Sequence, residues 1–289
     1  MPAIAASAAQ DATVGGTREF AFTDADFERV RRLIRAYAGI SLSPAKREMA
    51  YGRLARRLRA LGLASFGAYL DRVEADTLAE REAFVNALTT NLTAFFREPH
   101  HFPVLAEHLR AIRGRTATVW CCAASTGEEP YSIAITAVET FASVAPPVRI
   151  LASDVDTGAL RIAEAGIYSL EQLDRLDPVR RKRFFLRGTG TYSGKARVRD
   201  ELRDLVVFRR INLLAPDWPL RGPLDAIFCR NVMIYFDKAT QRTILERFVP
   251  LLRPDGLLFV GHSEGLHHAA HLFRPCGRTV YRLARSGGA

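Results

Sequence analysis

The sequence predicts an α/β protein: a doubly wound, mostly parallel sheet preceded by a small all-helical domain. Three observations carry this. From residue 117 onward, short apolar runs with β-branched residues alternate with amphipathic helices, the pattern of a parallel sheet. Residues 20–90 keep only the helical period. Thr118 to Ser132, TVWCCAASTGEEPYS, reads as a buried strand, a small-residue turn and a helix start whose first turn holds Pro130. The rest of the chain is organised around that corner.

Residues 1–19 lack a charged n-region and a continuous apolar core, and read as a flexible tail rather than a signal peptide. Thr23 can cap a first helix in which Phe27, Val30, Leu33, Ile34 and Tyr37 keep helical spacing up to Gly39. Ser43-Pro44 opens a second helix closed by Gly62, with Ala50, Leu54, Leu58 and Leu61 as its buried stripe. Lys46, Arg53 and Arg57, with Arg56 beside them, form a basic face on which Glu48 is the only acid. A docking face and a solvated face weigh about evenly there. Ser65 begins a third helix, and Thr77-Leu78-Ala79-Glu80 is a capping box for a fourth.

Residues 88–97, LTTNLTAFFR, join the helical part to the sheet. They mix Asn91 and Thr93 with Phe95 and Phe96 and end on Arg97, a composition that suits either a packed helix exit or a ligand cleft. Pro99 opens a helix through Phe102, Leu105, Leu109 and Ile112 to Gly114. Strands are expected at 117–123, 148–153 ending on Asp154, 205–211 ending on Asn212, 224–229 ending on Arg230-Asn231, and 256–260, with a closing hairpin that includes 279–283. Helices are expected near 156–164 and 237–252. The glycine-rich RGTGTYSGKARVR, 187–199, reads as a small β-hairpin inserted before the third strand.

Composition narrows the function. The chain has 289 residues, is 48% hydrophobic and carries a formal charge of +10. The excess is arginine, since Lys46, Lys182, Lys195 and Lys238 are the only lysines, and it favours an anionic partner, either nucleic acid or an acidic protein. No apolar run approaches the roughly 18–20 residues of a membrane span. Cys121, Cys122, Cys229 and Cys276 show no CxxC spacing, and three of them fall in expected strands, so buried thiols in a reducing cytoplasm are the expectation.

In an open parallel sheet, ligands bind beyond the carboxyl ends of the strands. The first strand ends at Ser125-Thr126-Gly127, and Asp154 after the second is placed to accept both hydroxyls of a ribose. The first loop is not GxGxxG, no GxxxxGK[ST] occurs, and Glu128-Glu129 stands where a pyrophosphate needs bare N–H groups. NAD and ATP are therefore poor candidates. A cationic nucleoside without phosphate fits, and S-adenosylmethionine is one, its sulfonium and amine suiting Glu128 or Glu129. The alternative is that these glutamates only favour a helix N-terminus.

Residues 228–237, FCRNVMIYFD, reach the place where a transferred methyl would lie. The (D/N)PP(Y/F) stretch of amino-group methyltransferases is missing, and Cys229 reads as a buried strand residue rather than a nucleophile. Gly261-His262-Ser263-Glu264-Gly265 matches a GxSxG elbow but lacks the acid and histidine in the required order after it. His267 and His271 lie four apart with no third metal ligand evident.

LTTNLTAFFRE, AASTGEEPYSIAI, RGTGTYSGKARVR, INLL, DAIFCRNVMIYFD, LLRPDGLLFVGHSE and TVYRLAR together resemble the CheR family of chemotaxis receptor glutamate methyltransferases, in order, over about residues 20–284. The resemblance implies a class I, Rossmann-like S-adenosylmethionine methyltransferase domain at 91–289, a helical N-terminal domain at 20–90 and a β-subdomain insert at about 187–203. It implies methyl transfer to glutamate side chains on the cytoplasmic helices of chemoreceptors, leaving S-adenosylhomocysteine. Asn91, Thr93, Arg97, Glu128, Asp154, Asn212, Leu213, Arg230 and Asn231 resemble the family's cofactor contacts. Arg97 and Tyr235 are expected beside the reacting carboxylate. Gly188, Gly190 and Gly194 resemble the insert that docks a receptor's C-terminal pentapeptide, and the basic face of Lys46, Arg53, Arg56 and Arg57 would seat the acidic methylated helices. A cytoplasmic monomer that neither binds nucleic acid nor inserts into the membrane is the expectation. Its rivals are a nucleic-acid methyltransferase, which would need an aromatic-studded basic groove, and a non-catalytic binding module.

The chemistry is consistent with this resemblance. A glutamate with a pKa of about 4.3 is ionised at neutral pH and needs no general base. Carboxylate and sulfonium give a neutral ester and a neutral thioether, so catalysis rests on in-line positioning and on excluding water from charges that cancel.

Overall fold

Residues 19–75 and 78–284 are described by a computed structural model. The expected tail, Glu19 apart, and the Thr77 end of the capping box lie outside the described residues. Four helices come first: α1 (Asp24–Ala38), α2 (Arg47–Leu61), α3 (Phe66–Ala75) and α4 (Leu78–Leu88). Thr23 closes a full capping box with Asp26, and Gly39, at φ 70°, ends α1 in the left-handed conformation that glycine adopts at no steric cost. The expected start of the second helix at Pro44 is a single 3-10 turn, Pro44–Lys46, that runs into α2. Val30, Ile34, Leu54, Leu58, Phe66, Tyr69 and Phe84 meet in one buried cluster between these helices.

The remaining elements alternate: α5 (His101–Ala111), β1 (Ala117–Cys121), α6 (Glu128–Phe141), β2 (Val148–Asp154), α7 (Thr157–Ala165), β3 (Ile167–Ser169), α8 (Leu170–Leu173), α9 (Pro178–Phe184), β4 (Phe185–Arg187), β5 (Lys195–Val198), α10 (Asp200–Arg203), β6 (Val206–Arg210), β7 (Leu224–Cys229), α11 (Lys238–Phe248), β8 (Leu252–Val260), β9 (Phe273–Gly277) and β10 (Val280–Leu283). The main sheet has the order β6-β2-β1-β7-β8-β10-β9. β6, β2, β1, β7 and β8 pair in parallel, and β10 turns antiparallel against β8 and β9. Side chains alternate across the sheet, as a period of two requires. Val119 and Cys121 join the layer with Tyr131 and Ile135, whereas Trp120 and Cys122 join the layer with Phe248 and Ile244. β1 is thus central and buried on both faces, which its near-continuous apolar run anticipated.

A second sheet, β3-β5-β4, is antiparallel. It begins at Ile167, twenty residues before the expected 187–203 insert, because β3 is only three residues long and carries no alternating signal. Within its hairpin, Gly190 and Gly194 take φ of 57° and 80°, and a Cβ on Gly188 would stand 2.2 Å from the Tyr192 carbonyl oxygen. These three glycines therefore have backbone reasons to be glycine. The helix expected from Pro99 starts at His101, after the non-glycine positive φ of Glu98. The thiols of Cys121, Cys122 and Cys229, the three in expected strands, are buried, and Cys276 is exposed on the terminal hairpin.

The helical domain is bound to the sheet by specific contacts. Asn212 donates to the Tyr37 carbonyl at 2.8 Å, and Ser41 N–H donates to the Tyr235 carbonyl at 2.9 Å. Arg35 pairs with Asp237 at 2.5 Å. All three partners on the sheet side, Asn212, Tyr235 and Asp237, follow the carboxyl ends of β6 and β7, so the helical domain roofs the place where a parallel sheet binds its ligand.

Candidate active site

The turn after β1 is shaped by sterics. Gly127 has φ 100°, and a Cβ there would lie 2.6 Å from the Tyr168 hydroxyl and 2.8 Å from Ala163 Cβ. Tyr168, on β3, donates to the Thr126 carbonyl at 2.7 Å, so the small sheet helps hold this turn. Ser125 sits at φ 49° and donates its N–H to Asp154 at 2.8 Å. Asp154 also accepts from Asp156 N–H at 3.0 Å, which fixes the carboxylate at the end of β2. Burial raises its pKa, against those two hydrogen bonds.

Asp156 is a site residue that the sequence reading missed. Buried at 3% exposure, it accepts from Asn91 at 2.7 Å and Thr89 at 2.5 Å, and it caps α7 through Ala159 N–H. Asn91 in turn accepts from Ser125 Oγ at 3.1 Å. The join and the β1 turn are thereby locked together. An Asp three residues before a helical stripe is an N-cap signal, and only the fold shows that its second oxygen serves the join.

A cavity of about 260 Å³ opens at this corner. Asn91, Thr93, Arg97, Asp154, Asn212, Leu213, Arg230, Asn231 and Tyr235 all line it, on four separate segments that the fold brings together. Glu128 does not. Its carboxylate turns to Thr126 Oγ1 at 2.7 Å and Gln172 at 3.3 Å, and the residue lining the cavity is Glu129. Consecutive residues on a helix point about 100° apart, so only one of the two can face the cleft.

Arg230 is almost fully buried and acts as a tie. One end pairs with Glu129, the other donates to the Arg97 carbonyl at 2.6 Å, and Glu98 stands 3.5 Å away. Glu98 also accepts from His262 Nδ1 at 3.0 Å and its N–H at 3.2 Å. Burial raises the Glu98 carboxyl, but the His262 hydrogen bonds and the Arg230 charge outweigh it and bring the pKa down to about 2. Burial, with the Arg230 charge next, lowers His101 to about 3. Glu98, His100 and His101 place ligand atoms within 4.8 Å of one another, but the Arg230 guanidinium already occupies the carboxylate, which disfavours a cation. Arg97 donates to the Leu92 carbonyl at 2.8 Å, leaving its remaining N–H groups to the cavity. Burial raises the Cys229 thiol, so it is no nucleophile.

The basic face of α2 is only partly free. Arg57 pairs with buried Glu80 at 2.7 Å, and Arg53 donates to the Thr89 and Ala87 carbonyls at the join. Lys46 and Arg56 are exposed. Arg53 and Arg57, expected to dock the acceptor, are engaged within the chain, by partners from α4 and the join rather than from α2.

The residues present fit a cationic nucleoside. Asp154 has lone pairs left for ribose hydroxyls, Val155, Ile211 and Leu213 offer an apolar wall for a base, and among the described residues no lysine or glycine-rich nest lines the cavity to address a pyrophosphate. Residues 91–282 match the family described as CheR methyltransferase, SAM binding domain, and residues 25–89 match CheR methyltransferase, all-alpha domain. The chain is 57% identical over 273 residues to chemotaxis protein methyltransferase 2 of Pseudomonas aeruginosa, covering 94% of this chain and 97% of that one. It is 55% identical over 270 residues to the chemotaxis protein methyltransferase of Salmonella typhimurium, covering 93% of each. The corresponding figure for Escherichia coli is 53% over 270 residues, covering 93% of this chain and 94% of that one.

Proposed function

The chain belongs to the CheR methyltransferase family and is an S-adenosylmethionine-dependent methyltransferase of chemotaxis; we propose that its cleft esterifies glutamate carboxylates on the cytoplasmic helices of a chemoreceptor. The observation that carries this is the pairing of Arg97 and Tyr235 on one cavity with Asp154. Asp154 would take the ribose hydroxyls, Asn212 and Leu213 the base, and Asn91, Thr93, Glu129, Arg230 and Asn231 the remaining faces of the cofactor. Glu128 acts one step back, by holding the Thr126 turn. S-adenosylmethionine, when bound, supplies the electrophilic methyl group.

Arg97 would align one oxygen of the incoming carboxylate, and Tyr235 would orient it by hydrogen bonding. A tight bidentate arginine would stabilise the ground state and slow attack, so a single loose contact serves better. The Leu92 carbonyl occupies part of the Arg97 guanidinium, which supports that single contact. The helical roof and the Asn231–Tyr235 loop exclude water while the two charges cancel.

On the acceptor side, exposed Lys46 and Arg56 would steer the acidic receptor helices, and the hairpin at Gly188, Gly190 and Gly194 would take a receptor's C-terminal pentapeptide. Among the described residues no helix is long and apolar enough to cross a membrane. A cytoplasmic monomer acting on a membrane-anchored receptor completes the proposal. The test is transfer from methyl-labelled S-adenosylmethionine to receptor-containing membranes, followed by alkali. Label released as volatile methanol marks a glutamyl ester. Alkali-stable label on protein or nucleic acid marks another acceptor and ends this proposal.

A further inference from the structure

The GHSEG segment after β8 matches a hydrolase elbow and, apart from the His262 hydrogen bonds to Glu98, has no part in the roles above, yet its glutamate is buried at the floor of the acceptor loop. Glu264 is 4% exposed. Its Oε2 accepts from Gly261 N–H at 2.6 Å and Asn231 N–H at 2.7 Å, and its Oε1 from Ile234 N–H at 3.3 Å. Among the described residues, no arginine, lysine or histidine forms an ion pair with it. A buried carboxylate held by main-chain donors alone fixes the path of the chain that supplies them, since each donor left unmade would cost about 1–3 kcal/mol.

Two of the three donors, Asn231 and Ile234, come from the loop beyond β7 that carries Asn231 and Tyr235 to the cleft, and the third, Gly261, follows β8. Asn231 has φ 58°, the left-handed region that asparagine enters more readily than most non-glycine residues. The carbonyls of the same loop are claimed as well. Gln241 donates to Met233 and Phe236 at 2.8 and 3.0 Å, and Ser41 N–H donates to Tyr235 at 2.9 Å. Gly261 is required by the same arrangement: a Cβ there would stand 2.4 Å from Asn231 Nδ2 and 2.7 Å from Glu264 Oε2.

We propose that Glu264 is the positioning residue of the acceptor side: its carboxylate, bound by Gly261, Asn231 and Ile234 N–H groups, sets the loop that presents Asn231 and Tyr235 to the cleft. The proposal rests on the methyl-transfer reading for its kinetic consequence and on geometry alone for its structural one. Glu264→Gln is isosteric but offers one acceptor oxygen where the loop needs two, and turns an NH₂ toward N–H donors. Asp154 and the base-binding wall are on other strands and stay in place.

The experiment uses the full chain. Hydrogen exchange follows the amides of Gly261, Asn231 and Ile234, calorimetry follows S-adenosylhomocysteine binding, and labelled transfer to receptor membranes gives kcat. In the wild type those amides are protected; in Glu264→Gln they exchange faster, kcat at saturating cofactor falls tenfold or more, in line with the roughly hundredfold cost of a 1 Å misplacement, and the Kd for S-adenosylhomocysteine rises by a clearly smaller factor, through Asn231 alone among the proposed cofactor contacts. Gly261→Ala keeps the carboxylate but pushes it off the loop, and it is expected to lose kcat in the same way; it decides the matter if Glu264→Gln does not fold. Unprotected amides in the wild type overturn the proposal, as does a variant kcat within twofold of wild type or a loss of kcat matched by an equal loss of S-adenosylhomocysteine affinity. A wild type that labels no receptor indicts the methyl-transfer reading instead, and the exchange data still judge this one.

Discussion

Arg230 donates to the main-chain oxygen of Arg97 across 2.6 Å while its other end holds Glu129. A residue at the end of β7 thereby sets the backbone of the residue proposed to meet the substrate, and it does so from a fully buried position. Replacing Arg230 by Met removes one cation from between two carboxylates, Glu129 and Glu98, and leaves them to repel each other in a low-dielectric setting. Loss of one partner from a buried pair costs about 3–5 kcal/mol. Urea unfolding of Arg230→Met should therefore show a loss of that order, and a loss below about 1 kcal/mol would mean that the tie is not structural.

Much of this was readable in the chain. β1, β2 and β7 announced themselves by apolar β-branched runs, and Asp154, Asn212 and Asn231 by their position just beyond strand ends. Three things were not legible, each for a physical reason. The acid that neutralises Arg57 lies on α4, so a count of charges along α2 alone could not find it. Which of Glu128 and Glu129 faces the cleft depends on the helix's rotation about its axis, which the helix's apolar faces, buried on nearly all sides, do not set. Glu264 acts through main-chain donors, and no residue pattern records the path of a backbone, while the Asn91 and Thr89 side chains that meet Asp156 are brought to it only by the fold.

The buried pair of titrating groups beside Arg230 gives a pH prediction. His101 is held neutral, with its folded pKa at about 3 against an ordinary 6.5, so the unfolded chain gains a proton first and stability falls as pH drops from about 6.5 toward 3. Glu98 is depressed to about 2, so its contribution is present above the unfolded value near 4.5 and is lost as pH falls through about 2. The His101 window comes first. Unfolding free energy measured from pH 7 to pH 4 should decline in the wild type and decline less steeply in His101→Phe. Identical slopes in the two proteins would remove His101 from the account.

Neighbouring arginines on α2 are expected to behave differently. Arg56 is exposed, and Arg56→Glu should leave the melting temperature unchanged while raising KM for receptor severalfold through lost steering, an effect that weakens with added salt. Arg57→Glu sets a carboxylate against Glu80, whose side chain is 8% exposed, and should cost roughly 2 kcal/mol of stability. Thermal melts and receptor titrations of the two variants separate the roles. A stable Arg57→Glu with raised KM would restore the docking role to that residue.

Arg97 carries the most specific functional prediction. Its carbonyl is fixed by Arg230 and one guanidinium nitrogen by Leu92, so the side chain is already oriented before any substrate arrives. That preorganisation is what alignment of an already ionised carboxylate requires, because the step needs no proton removed and gains chiefly from orientation. Arg97→Ala should fold normally, since the tie to Arg230 is through the main chain, and should lose about a hundredfold or more in kcat. Arg97→Lys keeps the charge but not the planar fork that reaches both the Leu92 carbonyl and the cleft, and should recover only part of that loss. Turnover is measured as alkali-released methanol per enzyme at saturating receptor, with circular dichroism as the check on folding. Near-normal turnover by Arg97→Ala would move the aligning role to Tyr235 alone, and Tyr235→Phe in the same assay would then show the larger defect.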